Sequence, residues 1–156
     1  MEPWKLRRWK LPSASSAKFY TCARPGRSKG SKGPAPDDLI HEWISGLPPN
    51  QNVAILSLLG HKPDGTSEWS FYSFYRKHRS FQEWLDQHYP AKAIKVIQHS
   101  TCDCRSIERE RLSAIEADIR ALLQGGQTVV MMDSGGAQRI QQVCRYIGAV
   151  EHSLAD

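Results

Sequence analysis

The chain has 156 residues, 40% of them apolar and 24% charged, which is enough for one domain with a continuous core. No apolar run approaches the roughly 20 residues needed to span a bilayer, and the basic N-terminus (Lys5, Arg7, Arg8, Lys10) lacks the apolar stretch of a signal peptide, so a cytoplasmic protein without membrane contact is expected. The formal charge of +5 is uneven, since residues 1–33 hold nine Lys or Arg and one acid, Glu2, against twelve and fifteen in residues 34–156.

In chain order, residues 1–17 read as a basic arm. Interleaved with Trp4 and Trp9, and followed by Phe19 and Tyr20, it could attract nucleic acid by counterion release and stacking. A solvated arm is the plainer reading of a charge run, and no nucleic-acid reader motif accompanies it. Residues 18–150 form the expected domain, and 151–156 a C-terminal tail. Lys18–Ala23 has the content of a short strand and runs into a loop rich in Gly and Pro, residues 24–36. Asp37 or Asp38 can cap a helix to about Gly46 that buries Leu39, Trp43 and Ile44. Residues 53–59 are continuously apolar, as in a strand covered on both faces.

Residues 61–80 show no clean period, and their aromatic stretch, Trp69 to Tyr75, could line a cleft but more often fills a core. Ser80 with Glu83 forms a capping box for a short helix to about His88, with Phe81, Trp84 and Leu85 inward. Residues 92–98 read as a strand. From Ser106 a longer helix carries Leu112, Ile115, Ile119, Leu122 and Leu123 on one face and ends at Gly125-Gly126. Thr128–Met132 is a buried strand, and a last helix carries Ile140, Val143, Cys144 and Ile147 before Gly148. This alternation predicts a single α/β domain with a largely parallel central sheet flanked by helices.

The four cysteines are expected to be free thiols. His99, Cys102 and Cys104 could contribute metal ligands, but no second cluster completes a tetrahedral site, so neither metal nor cofactor is expected.

Ligands of open α/β sheets bind beyond the carboxyl ends of strands, and there the strand 128–132 meets Asp133-Ser-Gly-Gly-Ala-Gln-Arg139. Gly135 and Gly136 permit backbone angles that turn successive N–H groups inward, and the helix starting near Gln138 adds its positive end. Ser134, Gly135, Gly136, Ala137 and Gln138 thus form a candidate anion nest, to which Arg139 can add a planar fork of donors. The bland alternatives for Arg139 are an ion pair with Asp133 or a solvent-facing place.

This loop after an apolar strand resembles the C-x5-R loop of the protein tyrosine phosphatase superfamily, with Asp133 at the position of the nucleophilic cysteine and Arg139 at that of the phosphate-binding arginine. Ala23-Arg-Pro-Gly26, Asp37-Asp38 and Ile55-Leu-Ser-Leu-Leu59 are similar to stretches of its smaller, dual-specificity-like bacterial members. The resemblance implies a phosphatase-like fold and a leaving-group acid at Asp103, which reads equally well as a turn aspartate.

A carboxylate keeps the negative charge of a thiolate without its nucleophilic sulfur. Its two oxygens could accept the inward N–H groups and Arg139, staying ionised and closing the loop. Three functions follow. One is a silent phosphatase-like protein that binds a phosphorylated or other anionic ligand, or a protein partner. Another is a phosphoesterase using Asp133 with Asp103 as acid, or an inactivated variant of a cysteine-dependent phosphatase. The third is a nucleic-acid role for the basic arm.

Overall fold

Alternation of apolar residues on the central strands decides the architecture. In the computed structural model, which describes residues 5–12, 14–27, 36–49 and 52–152, strand β5 (Thr128–Asp133) is buried along its whole length. Val129 and Met131 join one apolar cluster, while Val130 and Met132 join another on the opposite face. Only a sheet covered on both sides demands this, because successive side chains point to opposite faces.

Around β5 run β1 (Arg7–Leu11), β2 (Ala14–Ala23), β3 (Val53–Ser57), β4 (Lys95–Gln98) and β6 (Val150–His152), in the spatial order β4-β3-β5-β2-β1-β6. The four strands from β4 to β2 are parallel, and β1 pairs antiparallel with both β2 and β6. One face carries α1 (Asp37–Ser45) and α3 (Phe81–His88), with Ile40, Trp43, Ile44, Trp84 and Leu85 packed on Cys22, Ile55 and Val130. The other carries α4 (Arg109–Gln124) and α5 (Gln138–Ile147), with Ile115, Ile119, Ile140 and Val143 on Phe19, Leu56 and Met131. The single α/β domain with a mostly parallel sheet is as expected.

Several local expectations differ from the structure. Residues 7–11 are an inner strand of the sheet instead of a solvated arm: Trp9 and Leu11 are buried, the Trp9 indole N–H donates to Thr21 Oγ1 at 2.7 Å, and Arg7 grips Glu151 through two hydrogen bonds of 2.6 and 2.7 Å. Glu151 and His152, expected in the tail, belong to β6. Asp37 and Asp38 occupy the first turn of α1 behind an N-cap at Pro36, and Asp37 accepts from Ser73 Oγ at 2.8 Å instead of capping. Ile40, not Leu39, is the buried residue of that turn. Helix α4 begins at Arg109, three residues after Ser106, and β4 at Lys95, three after Lys92. The stretch without a period folds into a 3-10 turn over Glu68–Phe71 and the short α2 (Ser73–Arg76). Tyr72 and Phe74 enter the core while Tyr75 stays exposed. The Ser80–Glu83 capping box is present with both of its hydrogen bonds. Residues 1–4, 28–35 and 153–156 lie outside the described residues; among those described, no helix is long and apolar enough to cross a membrane.

Candidate functional site

The carboxyl ends of β2, β3 and β5 meet at one edge of the sheet, where Arg24 N–H donates to the Asp133 carbonyl at 2.8 Å and Leu58 N–H to the Met132 carbonyl at 2.9 Å. Asp133 closes β5 and is buried. Its Oδ2 accepts from Arg139 N–H at 3.0 Å and Ile140 N–H at 3.1 Å, and its Oδ1 accepts from Gly136 N–H. Helix α5 starts behind Ala137, whose side chain cannot cap it. Asp133 therefore reaches forward and satisfies two N–H groups of the first turn that would otherwise lack partners, which is the job of an N-cap side chain.

Of the two loop glycines, only Gly136 takes a positive φ, 81°. Gly135 faces open space, where an added Cβ would meet nothing within 4 Å. The expectation that both supply unusual angles is corrected: one residue makes the turn that aims its N–H at Asp133. Ser134 is half-buried, and Gly135, Ala137 and Gln138 are exposed. Among the described residues, the N–H groups of these four have no hydrogen-bond acceptor.

The Asp133 carboxyl is held above its ordinary pKa by burial, opposed by the N–H groups of Ile140, Gly136 and Arg139 and by the Arg139 charge. This departs from the expectation that the nest simply keeps the carboxylate ionised: removal from water outweighs the donors.

Arg139 is buried, and its fork does not turn into the loop. Nη1 and Nη2 meet Oε1 and Oε2 of Glu68 at 2.7 and 2.8 Å, the bidentate geometry that suits a guanidinium and a carboxylate. Nη1 also donates to Leu58 O at 3.1 Å and Thr101 Oγ1 at 3.0 Å. Burial alone would lower the Arg139 pKa, but Glu68, with Asp133 and Asp103, raises it. Glu68 is fully buried, and its Oε1 takes a further hydrogen bond from Gly60 N–H at 2.9 Å.

Gly60 has a steric reason to lack a side chain. A Cβ there would lie 2.1 Å from the Thr101 carbonyl oxygen, so the β3 loop and the β4 loop could not approach. That approach brings Asp103 near the arginine, with Oδ1 at 3.6 Å from Arg139 Nη2. Asp103 N–H donates to His61 O at 2.8 Å, and the next residue, Cys104, turns the chain at φ 62°. The loop is further anchored to α5 through Gln142, which accepts from Ile107 N–H at 2.7 Å.

Glu68 and Thr101 belong to this site but had no sequence signal. Glu68 is one acid in an aperiodic aromatic stretch, and its partner lies 71 residues away. Arg24, from the Ala23-Arg-Pro-Gly26 stretch, is buried nearby over the Phe71 ring at 4.1 Å. The residues of the thiol cluster flank Asp103, and the partners of His99 do not point to metal ligation. His99 Nε2 lies 2.6 Å from Asp118 Oδ2 and its Nδ1 lies 3.3 Å from Arg111 Nη1, so both ring nitrogens have protein partners. All four cysteines are free, and burial pushes the thiols of Cys22 and Cys144 up to about 12.

A crystal structure of kinase-associated phosphatase, with serine substituted for its catalytic-site cysteine, superposes with a TM-score of 0.57 over 90% of this chain and 71% of that one, at 15% identity. The fold is phosphatase-like. A second solved structure, Tk-PTP in its active form, matches 89% of this chain and 77% of its own at 14% identity with a TM-score of 0.48. No family model matches the chain, and no curated protein does. In this phosphatase-like fold, Asp133, Arg139 and Asp103 come together at the carboxyl ends of the central strands, with Glu68 as the partner of the arginine.

Proposed function

We propose that the protein is a phosphatase-like binding protein without phosphoryl-transfer chemistry of its own, in which the Asp133 carboxyl group is a built-in occupant of the inner donors of the loop. The observation that carries this reading is that the Asp133 carboxylate takes the N–H groups of Gly136, Arg139 and Ile140. Those donors would otherwise face a phosphoryl group, and a second anion must compete with a carboxylate that cannot leave. Once Asp133 is ionised, repulsion reinforces this: two unit charges about 4 Å apart at an effective dielectric of ~20 cost about 4 kcal/mol. A phosphorylated or other anionic ligand would engage the outer N–H groups of Ser134, Gly135, Ala137 and Gln138, with Arg139 as a positioning residue locked to Glu68.

A second reading, of a cysteine-dependent phosphatase inactivated at this position or a phosphoesterase using Asp133, draws support from Asp103, which stands 3.6 Å from Arg139 with its side chain 30% exposed, as a leaving-group acid would need. Hydrolysis of p-nitrophenyl phosphate separates the two. The expected result is no turnover by the native chain, with inorganic phosphate raising its melting temperature. Turnover by the native chain that disappears in Asp133→Ala would overturn the proposal in favour of an aspartate enzyme. Turnover confined to Asp133→Cys, and lost again in Asp133→Cys with Arg139→Ala, is the signature of a silenced phosphatase site.

A further inference from the structure

A cleft of about 740 Å³ contains no residue of the 133–139 loop. Its volume falls in the range of roughly 300–1,000 Å³ typical of small-molecule sites. Its deeper wall is apolar, made by Trp69, Phe74, Phe81 and Val96. The three rings are mutually tilted, with centroids 5.5 to 5.9 Å apart, and offer both faces and edges to another ring. Arg76, His78 and Arg79, all exposed, line the same cleft. Among the described residues none of these three makes an ion pair. The acid lining the cleft, Glu83, is committed to the Ser80 N–H in the capping box of α3.

The backbone under the basic rim is also held in place. After α2, Arg79 N–H returns to Phe74 O at 2.9 Å and His78 N–H to Tyr75 O at 2.9 Å, the paired bonds of a Schellman turn. His78 occupies its left-handed position at φ 58°, where glycine is usual. A side chain in that conformation is costly, and the strain is kept in the turn that places Arg79 beside the apolar wall.

We propose that this cleft is a binding site for a small aromatic anion, a ring seated on Trp69, Phe74 and Phe81 with its carboxylate, sulfonate or phosphate against Arg76 and Arg79. Charge complementarity selects the anion, because the two arginines outnumber the one acid of the lining, whose carboxylate is turned to the Ser80 N–H. Cleft volume and ring geometry select a small aromatic body.

The test is fluorescence titration of the full chain with 1-anilinonaphthalene-8-sulfonate and its uncharged relative N-phenyl-1-naphthylamine. Saturable one-to-one binding of the sulfonate is expected, weakened about tenfold, or ~1.4 kcal/mol, in the Arg76→Ala, Arg79→Ala double variant. Affinity for the uncharged probe should be lower in the native chain and unchanged by that variant. Val96→Phe, which fills the cleft, should abolish binding of both probes. Should that variant misfold by circular dichroism, amide shifts of Arg79 and Gln82 on adding the sulfonate to the native chain supply the location. Absence of saturable binding, equal affinity for both probes, indifference to loss of the arginines, or shifts mapping elsewhere would each overturn the proposal.

Discussion

The loop at Asp133 and the cleft behind Trp69 are built from similar materials, cationic groups beside a cavity or nest, yet they treat their charges oppositely. At the loop, Asp133 takes three N–H groups and Arg139 is clasped by Glu68. At the cleft, Arg76, His78 and Arg79 stand exposed above an apolar wall. A motif tells which groups converge; their availability to a ligand depends on which partners the rest of the chain has already given them.

The strongest way to break this comparison is to release Arg139. Glu68→Ala should leave a buried cation without its partner and cost about 3–5 kcal/mol, read as a fall in the urea midpoint. Added inorganic phosphate should recover part of the loss if Arg139 then turns into the loop. A variant as stable as the native chain would show that the loop does not rely on this pair.

Next in size is the approach of the two loops that carry Glu68 and Thr101. Gly60→Ala places a methyl group 2.1 Å from the Thr101 carbonyl and should cost about 3 kcal/mol, with the hydrogen bonds to Arg139 loosened. Thermal unfolding gives the value.

The loop glycines then separate from each other. Gly136→Ala, at φ 81°, should cost about 1–2 kcal/mol and slacken the grip on Asp133. Gly135→Ala, facing open space, should stay within about 0.5 kcal/mol. Equal losses would mean that the two positions share the turn.

The last comparison concerns pH. Burial raises the Asp133 pKa in the folded state. A raised acid favours the folded state when protonated, so its contribution is fully present below the unfolded value near ~4 and is lost as pH rises through the folded value. Native stability measured against Asp133→Asn should therefore decline across that window. A rise with pH would instead mean that the three N–H donors outweigh burial.

The elements flanking the site were legible because their signals are local. The apolar run of β5, the capping box at Ser80 and the apolar face of α5 closed by Gly148 each follow from neighbours within a turn or two. The start of the chain was not. Arg7–Leu11 reads as a charged arm until β2 supplies a hydrogen-bonding edge, Thr21 takes the Trp9 indole and Glu151 neutralises Arg7. A strand alternating between an exposed and a buried face needs a sheet to make its pattern meaningful.

The sequence by itself determined the alternation of the main strands and helices from β2 to α5, the place of Asp133 at the mouth of β5, and the convergence of N–H groups on it, because turn chemistry and a helix N-terminus act over a few residues. The destination of Arg139 was decided only by tertiary structure. Its candidate partners, Asp133 in the loop, Asp103 after β4 and Glu68 after β3, are all acids at plausible places. The choice of Glu68 follows from the glycine at position 60, which lets two distant loops come within hydrogen-bonding distance and delivers a buried carboxylate to the guanidinium.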